Sequence, residues 1–544
     1  MPASLISPQR MPLLGQGRFI VDSQGNRAKL ACVNWYGAHM ETYVVGGLQV
    51  RHIRNITEKI VELGFNCVRL PYSLDLWAKD PAVLPEAIAA NPQLVNLSAL
   101  QVFDHTIAEV GRAGVVTILN NHNSEAGWCC DLHHEDGLWS TSTYNTSAWA
   151  RSLHEMAWRY RDDPMVVGFD LRNEIHDVKR LGRITTWGTS DDVNTDWKLA
   201  SELGGRAVAA ADPSLLVVVS GMCFSFDLRS MHHDRPDLPD PRKLVWTVHY
   251  YSFSRWWTRM EERVVAVSLS VGCATLLLAL AVYLCRKRRS VGRPSVAHLS
   301  PVCLAAACWL LVGGGVLLLA SYALRLGYTE AGCEAMAVES ATLDTAAVHL
   351  LWLGALSLLF SLLFACKLTR GNPWTMRELN STVGVSRGTS TTGKAPSRAR
   401  RPAKRRCGCY CYVNAVLGFC ALSSGGGFII SLAVRTSTYA MLHDELASKW
   451  GLDGGVDAPV FVGEFGAGDG YAESAYWAHM IRFLQQYDLD WAYWPLNGDR
   501  WSEADQSWED EWYGILDPQY ESVRRPGQLS GLQSIQPSGH DPAT

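Results

Sequence analysis

The sequence predicts an α/β chain, a (β/α)8 barrel interrupted by an inserted bundle of about four transmembrane helices. Three observations predict it. Short β-branched runs alternate with helical patterns through residues 1–259 and again through about 437–525. Between them, over 260–436, long uncharged apolar runs recur. Polar residues gather where the candidate strands end, the rim on which this barrel class carries its chemistry. Composition narrows the classes further. At 544 residues, 48% hydrophobic, 19% charged and with a net charge of −4, the chain is too apolar for a disordered protein. It also lacks the basic excess of a general nucleic-acid binder. Fifteen cysteines in such a length are not a disulfide scaffold. The 21 Trp and 19 Tyr offer flat apolar faces with a polar tip, suited to sugar binding or to core packing.

The first six barrel strands are expected at Ala31–Trp35, Asn66–Leu70, Val115–Asn120, Val166–Leu171, Leu215–Ser220 and Leu244–Val248. Amphipathic stretches at Leu97–Arg112, Ser147–Tyr160 and Asp196–Ala211 supply helices between them. Strands seven and eight, Val460–Val462 and Asp490–Trp494, follow the insert, with a helix near Tyr439–Trp450 ahead of them. Arg69 then ends the second strand, His122 the third, Asn173-Glu174 the fourth, His249 the sixth, Glu464 the seventh and Trp494 the eighth. A lone polar residue at a strand end is usually structural. Six on one rim point to a site.

The insert holds apolar runs at Val264–Cys285, Pro301–Leu324, Ala346–Cys366 and Tyr412–Val434, each long enough to cross a bilayer core of about 30 Å. The fourth is interrupted by Asn414 and by Ser423-Ser424-Gly425-Gly426-Gly427. The loops give an independent indication. Residues 286–300 carry five bases and no acid, 325–345 one base and four acids, and 367–411 eleven bases against Glu378 alone. Basic loops stay cytoplasmic, so both barrel segments are expected on the extracellular or lumenal side of an integral membrane protein. The opening MPASLISPQR has no apolar signal-peptide core, which leaves a reverse anchor or an incomplete start as alternatives. Asn-x-Ser/Thr triplets at Asn55, Asn96 and Asn145 fit a lumenal location. Cys407, Cys409 and Cys411 are candidates for palmitoylation.

At VVGFDLRNEIHD (Val166–Asp177) and PVFVGEFG (Pro459–Gly466) the chain resembles glycoside hydrolase family 5, the cellulase-like retaining glycosidases. CVRLPYS (Cys67–Ser73), NNHNSEAGWCC (Asn120–Cys130), TVHYYS (Thr247–Ser252) and WAYWPLNG (Trp491–Gly498) match the supporting strands in order. The HNSEAGWCC and LRNE wording is most similar to the subgroup common in plants and algae. The resemblance covers about 20–260 and 437–525 and leaves out the insert. It implies that Glu174 is the general acid/base and Glu464 the nucleophile, two carboxyls about 5–5.5 Å apart across the glycosidic bond. It further implies that Arg69 keeps Glu464 charged, Asn173 bonds the sugar 2-hydroxyl, His122 and His249 line the sugar subsite, Tyr251 touches the nucleophile and Trp494 stacks under the sugar. No cofactor or metal is implied.

Other features read more plainly. CCDLHHED (Cys129–Asp136) crowds potential metal ligands without a metal-site spacing, and is expected to be loop polarity around the cleft. Trp128, Trp139, Trp501 and Trp512 are outer sugar platforms or packing. The segment beyond Arg525, rich in Gly, Ser, Pro and Gln, is expected to be a disordered tail over 526–544. The insert follows soon after Tyr251, which places it on the catalytic face; it serves to hold the mouth near the bilayer or simply to anchor the protein. The expected partners are the bilayer and a β-linked polysaccharide, with no nucleic acid. Two alternatives stand beside the polysaccharide hydrolase: a glycolipid-cleaving relative, and a catalytically silent glycan-binding membrane receptor. Four spans with few charges make a transporter the weakest reading.

Overall fold

The computed structural model describes residues 5–130, 135–251, 439–440, 442–454, 458–468 and 471–537. The four apolar runs at 264–285, 301–324, 346–366 and 412–434, and the cysteines at 407–411, lie outside these residues. Among the described residues no helix is long and apolar enough to cross a membrane.

A hairpin of β1 (Leu14–Gln16) and β2 (Phe19–Val21) comes first. The barrel strands follow: β3 (Ala31–Asn34), β4 (Cys67–Ser73), β5 (Val116–Asn123), β6 (Val166–Asp170), β7 (Leu216–Ser220), β8 (Leu244–His249), β9 (Val460–Phe465) and β10 (Asp490–Tyr493). Each pairs in parallel with the next, and β10 returns to pair in parallel with β3, closing the barrel. This is the eight-stranded parallel barrel that the alternation predicts. The pairing of β8 with β9 shows that the chain resumes the barrel after residue 251 at the next strand position.

The helices begin where side chains satisfy the free N–H groups of a first turn. The helix α1 spans Ile53–Glu62 and α2 Leu74–Lys79. Ser98 and Gln101 form a reciprocal capping box at α3 (Ala99–Arg112). Asn145 caps α4 (Thr146–Tyr160), and Asp196 accepts from two N–H groups of α5 (Trp197–Ala211). Residues 442–449 are helical, as expected ahead of the seventh barrel strand.

The barrel interior is filled, as such barrels require. Cys32, Cys67, Val116, Ile118, Leu216, Val218, Val245, Phe461 and Ala492 form one buried cluster with Ile6, Leu13 and Ile20 of the N-terminal segment. The hairpin lies against the starts of β8 and β9, since a Cβ on Gly15 would meet Pro459 at 2.9 Å and the Arg242 carbonyl at 3.2 Å. It therefore stoppers the barrel at the end opposite the strand C-termini. Cys32 and Cys67, register partners on β3 and β4, are joined by a disulfide.

One expectation is corrected here. Residues 526–534 form an ordered helix, Pro526–Ser534, instead of a disordered tail. Gly531 lies against Trp477 of the helix Tyr471–Tyr487, and Leu532 and Ile535 are buried. Composition misled because two buried apolar residues and one close helix contact suffice to dock a short segment rich in Gly, Ser and Gln.

Candidate active site

Arg69, on β4, is the hub. It is fully buried, and its fork donates to Asp170 (2.9 Å from Nε), Asn34 Oδ1 (2.9 Å), Asn173 Oδ1 (2.8 Å) and Glu464 Oε1 (2.7 Å). A buried cation is tolerated where anions and acceptors surround it. Here Asp170, below, and Glu464, in the mouth, supply two. Burial raises the Asp170 carboxyl to about 6 against the pull of Arg69.

Glu174 and Glu464 face each other, with one oxygen from each, and a His249 nitrogen, all within 4.8 Å of one another. Their surroundings differ. Glu464 receives Arg69 on one oxygen and the Tyr251 hydroxyl on the other, at 2.9 Å. Glu174 shares a 2.8 Å hydrogen bond with His249 Nδ1 and receives the Cys130 thiol on its second oxygen, also at 2.8 Å. Burial raises both carboxyls, and the charge of Glu464 raises Glu174 further. The Arg69 guanidinium and the Tyr251 hydroxyl hold Glu464 down. The pair is therefore poised with the proton on Glu174 and the charge on Glu464.

The backbone presents Glu174 in an unusual way. Beyond Asp170 the chain keeps extended pairing, with Leu171 N on Val218 O and Asn173 N on Asn121 O, each 3.0 Å. Glu174 then turns to φ +42°, a left-handed conformation that L residues rarely adopt and that concentrates at functional sites. On β9, Gly463 leaves room for the imidazole that reaches both acids: a Cβ there would meet His249 Nε2 at 3.0 Å and Thr247 Oγ1 at 2.3 Å.

His122 Nδ1 lies 2.7 Å from Asn120 Oδ1, and burial holds the imidazole neutral. The amide oxygen can only accept, so Nδ1 carries the proton and Nε2 is left as an acceptor. That Nε2 is buried with no partner among the described residues, as suits a ligand hydroxyl. The Trp494 ring lies parallel to Tyr36 at 4.9 Å and to His122 at 5.6 Å. Every residue named from the sequence thus lies in this one cluster, Asn173 through Arg69.

Four further residues escaped the sequence reading. Asn34 and Asp170 brace Arg69; Asp170 stands four residues before Glu174, and a buried arginine beside one glutamate asks for a second anion. His39 lies tilted against His122, ring centroids 4.4 Å apart. Cys130 contacts Glu174, which corrects the reading of its stretch as loop polarity alone: Cys129, Cys130 and Glu174 place their ligating atoms within 4.8 Å of one another. Residues 131–134 of that stretch lie outside the described residues. Of the tryptophans, Trp139 is fully buried against Trp149 and Trp197 and is packing. Trp501 packs against the Tyr36–Trp494 cluster. Trp128, 39% exposed, meets Tyr36 and Trp494 edge-on. Trp512 is exposed.

Residues 21–270 match the model of the Cellulase family, glycosyl hydrolase family 5. A glycosyl hydrolase 5 family protein of Chamaecyparis obtusa is 34% identical over 264 residues, covering 45% of each chain. An endoglucanase of Paenibacillus polymyxa is 34% identical over 209 residues, covering 38% of this chain and 49% of that one. The chain thus spans about half the length, or less, of these curated relatives. The catalytic domain of the major endoglucanase from Xanthomonas campestris pv. campestris superimposes with a TM-score of 0.54 at 18% identity, covering 96% of this chain and 99% of that one. That likeness shows the fold.

Proposed function

We propose that the chain is a membrane-anchored retaining glycoside hydrolase that cleaves O-glycosyl bonds in β-linked polysaccharide, in the manner of an endoglucanase. One observation carries the reading: two carboxyls within 4.8 Å of each other, one held by a cation and a phenol, the other by an imidazole and a thiol. That spacing suits a double displacement; direct attack by water needs about 6.5–9.5 Å between the carboxyls. The names of the Paenibacillus and Xanthomonas relatives, both endoglucanases, support a β-glucan as substrate. The NNHNSEAGWCC and LRNE stretches support a place in the plant and algal subgroup.

In the first step Glu464 attacks the anomeric carbon, the glycosidic C–O bond breaks, and the Glu174 proton passes to the leaving oxygen. In the second, Glu174 takes a proton from water, the oxygen attacks the same carbon, and Glu464 leaves. Arg69 and Tyr251 keep Glu464 ionised for the attack. Asn173, its carbonyl fixed by Arg69, turns its amide N–H groups to the sugar 2-hydroxyl. His122 and His249 line the subsite, and Trp494 forms its floor.

The membrane reading rests on the four apolar runs and their alternating loop charge. The Cys32–Cys67 disulfide supports an oxidising, non-cytoplasmic compartment, as do Asn55, Asn96 and Asn145, all exposed on the barrel. Residue 252, where the excursion begins, directly follows Tyr251 at the active-site mouth.

The test is reducing-sugar release by detergent-solubilised protein from a panel of β-glucans, β-mannans and glycosphingolipids, with Glu464→Gln alongside. Release from β-glucan that the variant abolishes is the expected result. Release from glycosphingolipid alone would replace the substrate class. Oligosaccharide binding without release from any substrate would make the protein a receptor.

A further inference from the structure

Cys129 and Cys130 are adjacent in sequence and their sulfurs lie 2.6 Å apart, closer than unbonded sulfurs settle. Both are free thiols, in a chain whose Cys32 and Cys67 are joined and whose Cys223 is also disulfide-bonded. Cys130 adopts φ +69°, a left-handed turn that folds one side chain back toward the other. Described residues on either side of the pair are tied to their neighbours. Asn123 donates to Gly127 O at 2.7 Å, Gly127 N to His39 O at 3.1 Å, and the buried Arg172 to Asp136 at 3.0 Å. The pair is half-buried beside the acid: the Cys130 thiol donates to Glu174 Oε2, and Asn173 Nδ2 lies 3.8 Å from each sulfur.

We propose that Cys129 and Cys130 are a reversible thiol–disulfide modification site whose state decides whether Cys130 donates a hydrogen bond to Glu174. The consequence for catalysis rests on the reading of Glu174 as acid/base.

The oxidant is a small-molecule disulfide of the glutathione class. The Cys129 thiolate attacks one of its sulfurs and expels a thiol. The Cys130 sulfur, giving up its proton, then attacks Cys129 and expels the second thiol. One S–S bond breaks and one forms; two electrons and two protons pass from the cysteines to the oxidant. Consecutive Cα atoms are about 3.8 Å apart, short of the roughly 4.4 Å at which ordinary disulfides begin. The ring is therefore strained, and strained disulfides are the readily reduced, regulatory ones.

In the reduced state the S–H bond favours the Glu174 carboxylate. Oxidation removes the donor, so Glu174 keeps its proton to higher pH. The other groups facing Glu174 are Glu464, Arg69, His249 and Tyr251, which take no part in the oxidation, and Cys129, whose thiol is consumed with that of Cys130.

The experiment equilibrates the full chain at graded ratios of oxidised glutathione to dithiothreitol, alkylates it, and weighs the peptide holding both cysteines. In parallel it records the pH profile of hydrolysis. The expected result is a peptide two hydrogens lighter and unalkylated at the oxidising end, doubly alkylated at the reducing end. The alkaline limb should lie roughly one pH unit higher in the oxidised protein. Cys129→Ser, which keeps the donor, should hold the low limb at every ratio; Cys130→Ala, which lacks it, the high limb. Full alkylation at every ratio, or one limb for both states, overturns the proposal. A third measurement is independent of turnover. Burial and Cys129 push the Cys130 thiol upward and the Glu174 carboxylate adds to them, so Glu174→Gln should speed Cys130 alkylation several-fold at fixed pH. An unchanged rate overturns the coupling. Absent hydrolysis with this acceleration intact overturns only the glycosidase reading.

Discussion

Arg69 and Glu174 set the terms at the scale of the residue. Arg69 sits between two carboxylates, and removing it would leave Asp170 and Glu464 buried without a counter-charge. Arg69→Met should therefore lower stability by about 3–5 kcal/mol in denaturant unfolding. Asp170→Asn added to it should recover part of the loss, because one orphaned charge disappears. Glu174 is raised by burial and by the charge of Glu464. Its folded pKa lies above its unfolded one, so its contribution to stability is full below the ordinary carboxyl range and is lost as pH rises toward the folded value. Glu174→Gln removes that dependence, and its melting temperature should gain on the parent as pH rises. In kinetics, Glu174→Gln should cost about 10²–10⁴-fold on natural glycosides, and far less on aryl glycosides whose leaving group needs no proton. An equal loss on both would deny it the role of acid. The sequence names these groups because a carboxyl or imidazole at a strand end is visible in the pattern. His39 and Cys130 lie outside the strands, on stretches whose path a one-dimensional pattern does not contain; only the folded chain brings the Cys130 thiol to Glu174.

The elements were legible in position and less so in extent. All eight barrel strands fall at the expected places, most of them on short apolar runs, since a parallel barrel buries both faces of each strand. β4 and β5 extend past the expected ends to Ser73 and Asn123, where polar residues of the site keep strand geometry because their partners lie within the barrel mouth. The N-terminal hairpin went unseen because strands of three residues carry too little periodicity. The disulfide joining β3 to β4 went unseen because fifteen cysteines allow too many pairings. It closes a loop with a sequence separation of 35, which in the chain-entropy account amounts to about 4 kcal/mol. The double variant Cys32→Ala/Cys67→Ala should lose up to that amount in denaturant unfolding, with hydrolysis unchanged at temperatures where the fold persists. A loss below 1 kcal/mol would assign the two cysteines to packing alone.

At the scale of the whole molecule, the barrel is built from chain on both sides of residues 252–438, so strands β3 to β8 cannot close without β9 and β10. The long apolar runs between them support anchoring, and the three exposed Asn-x-Ser/Thr sites support a glycosylated barrel. Expressed in a secretory host, the protein should stay with membranes through an alkaline carbonate wash. It should also migrate faster after glycosidase removal of N-linked sugar, with Asn96→Gln reducing the shift. Release by carbonate, or an unshifted band, would move the barrel to the other side of the membrane or off it. The central claim is that Glu464 forms a covalent bond to sugar while Glu174 moves the proton. The measurement that tests it most directly is mass spectrometry of the protein after incubation with an activated 2-deoxy-2-fluoro-β-glucoside, which slows release of a glycosyl-enzyme. One fluoroglucosyl adduct is expected on the peptide Pro459–Gly466, borne by Glu464 and absent in Glu464→Gln. An adduct on another carboxylate, or turnover with inversion at the anomeric carbon and no adduct, would contradict it.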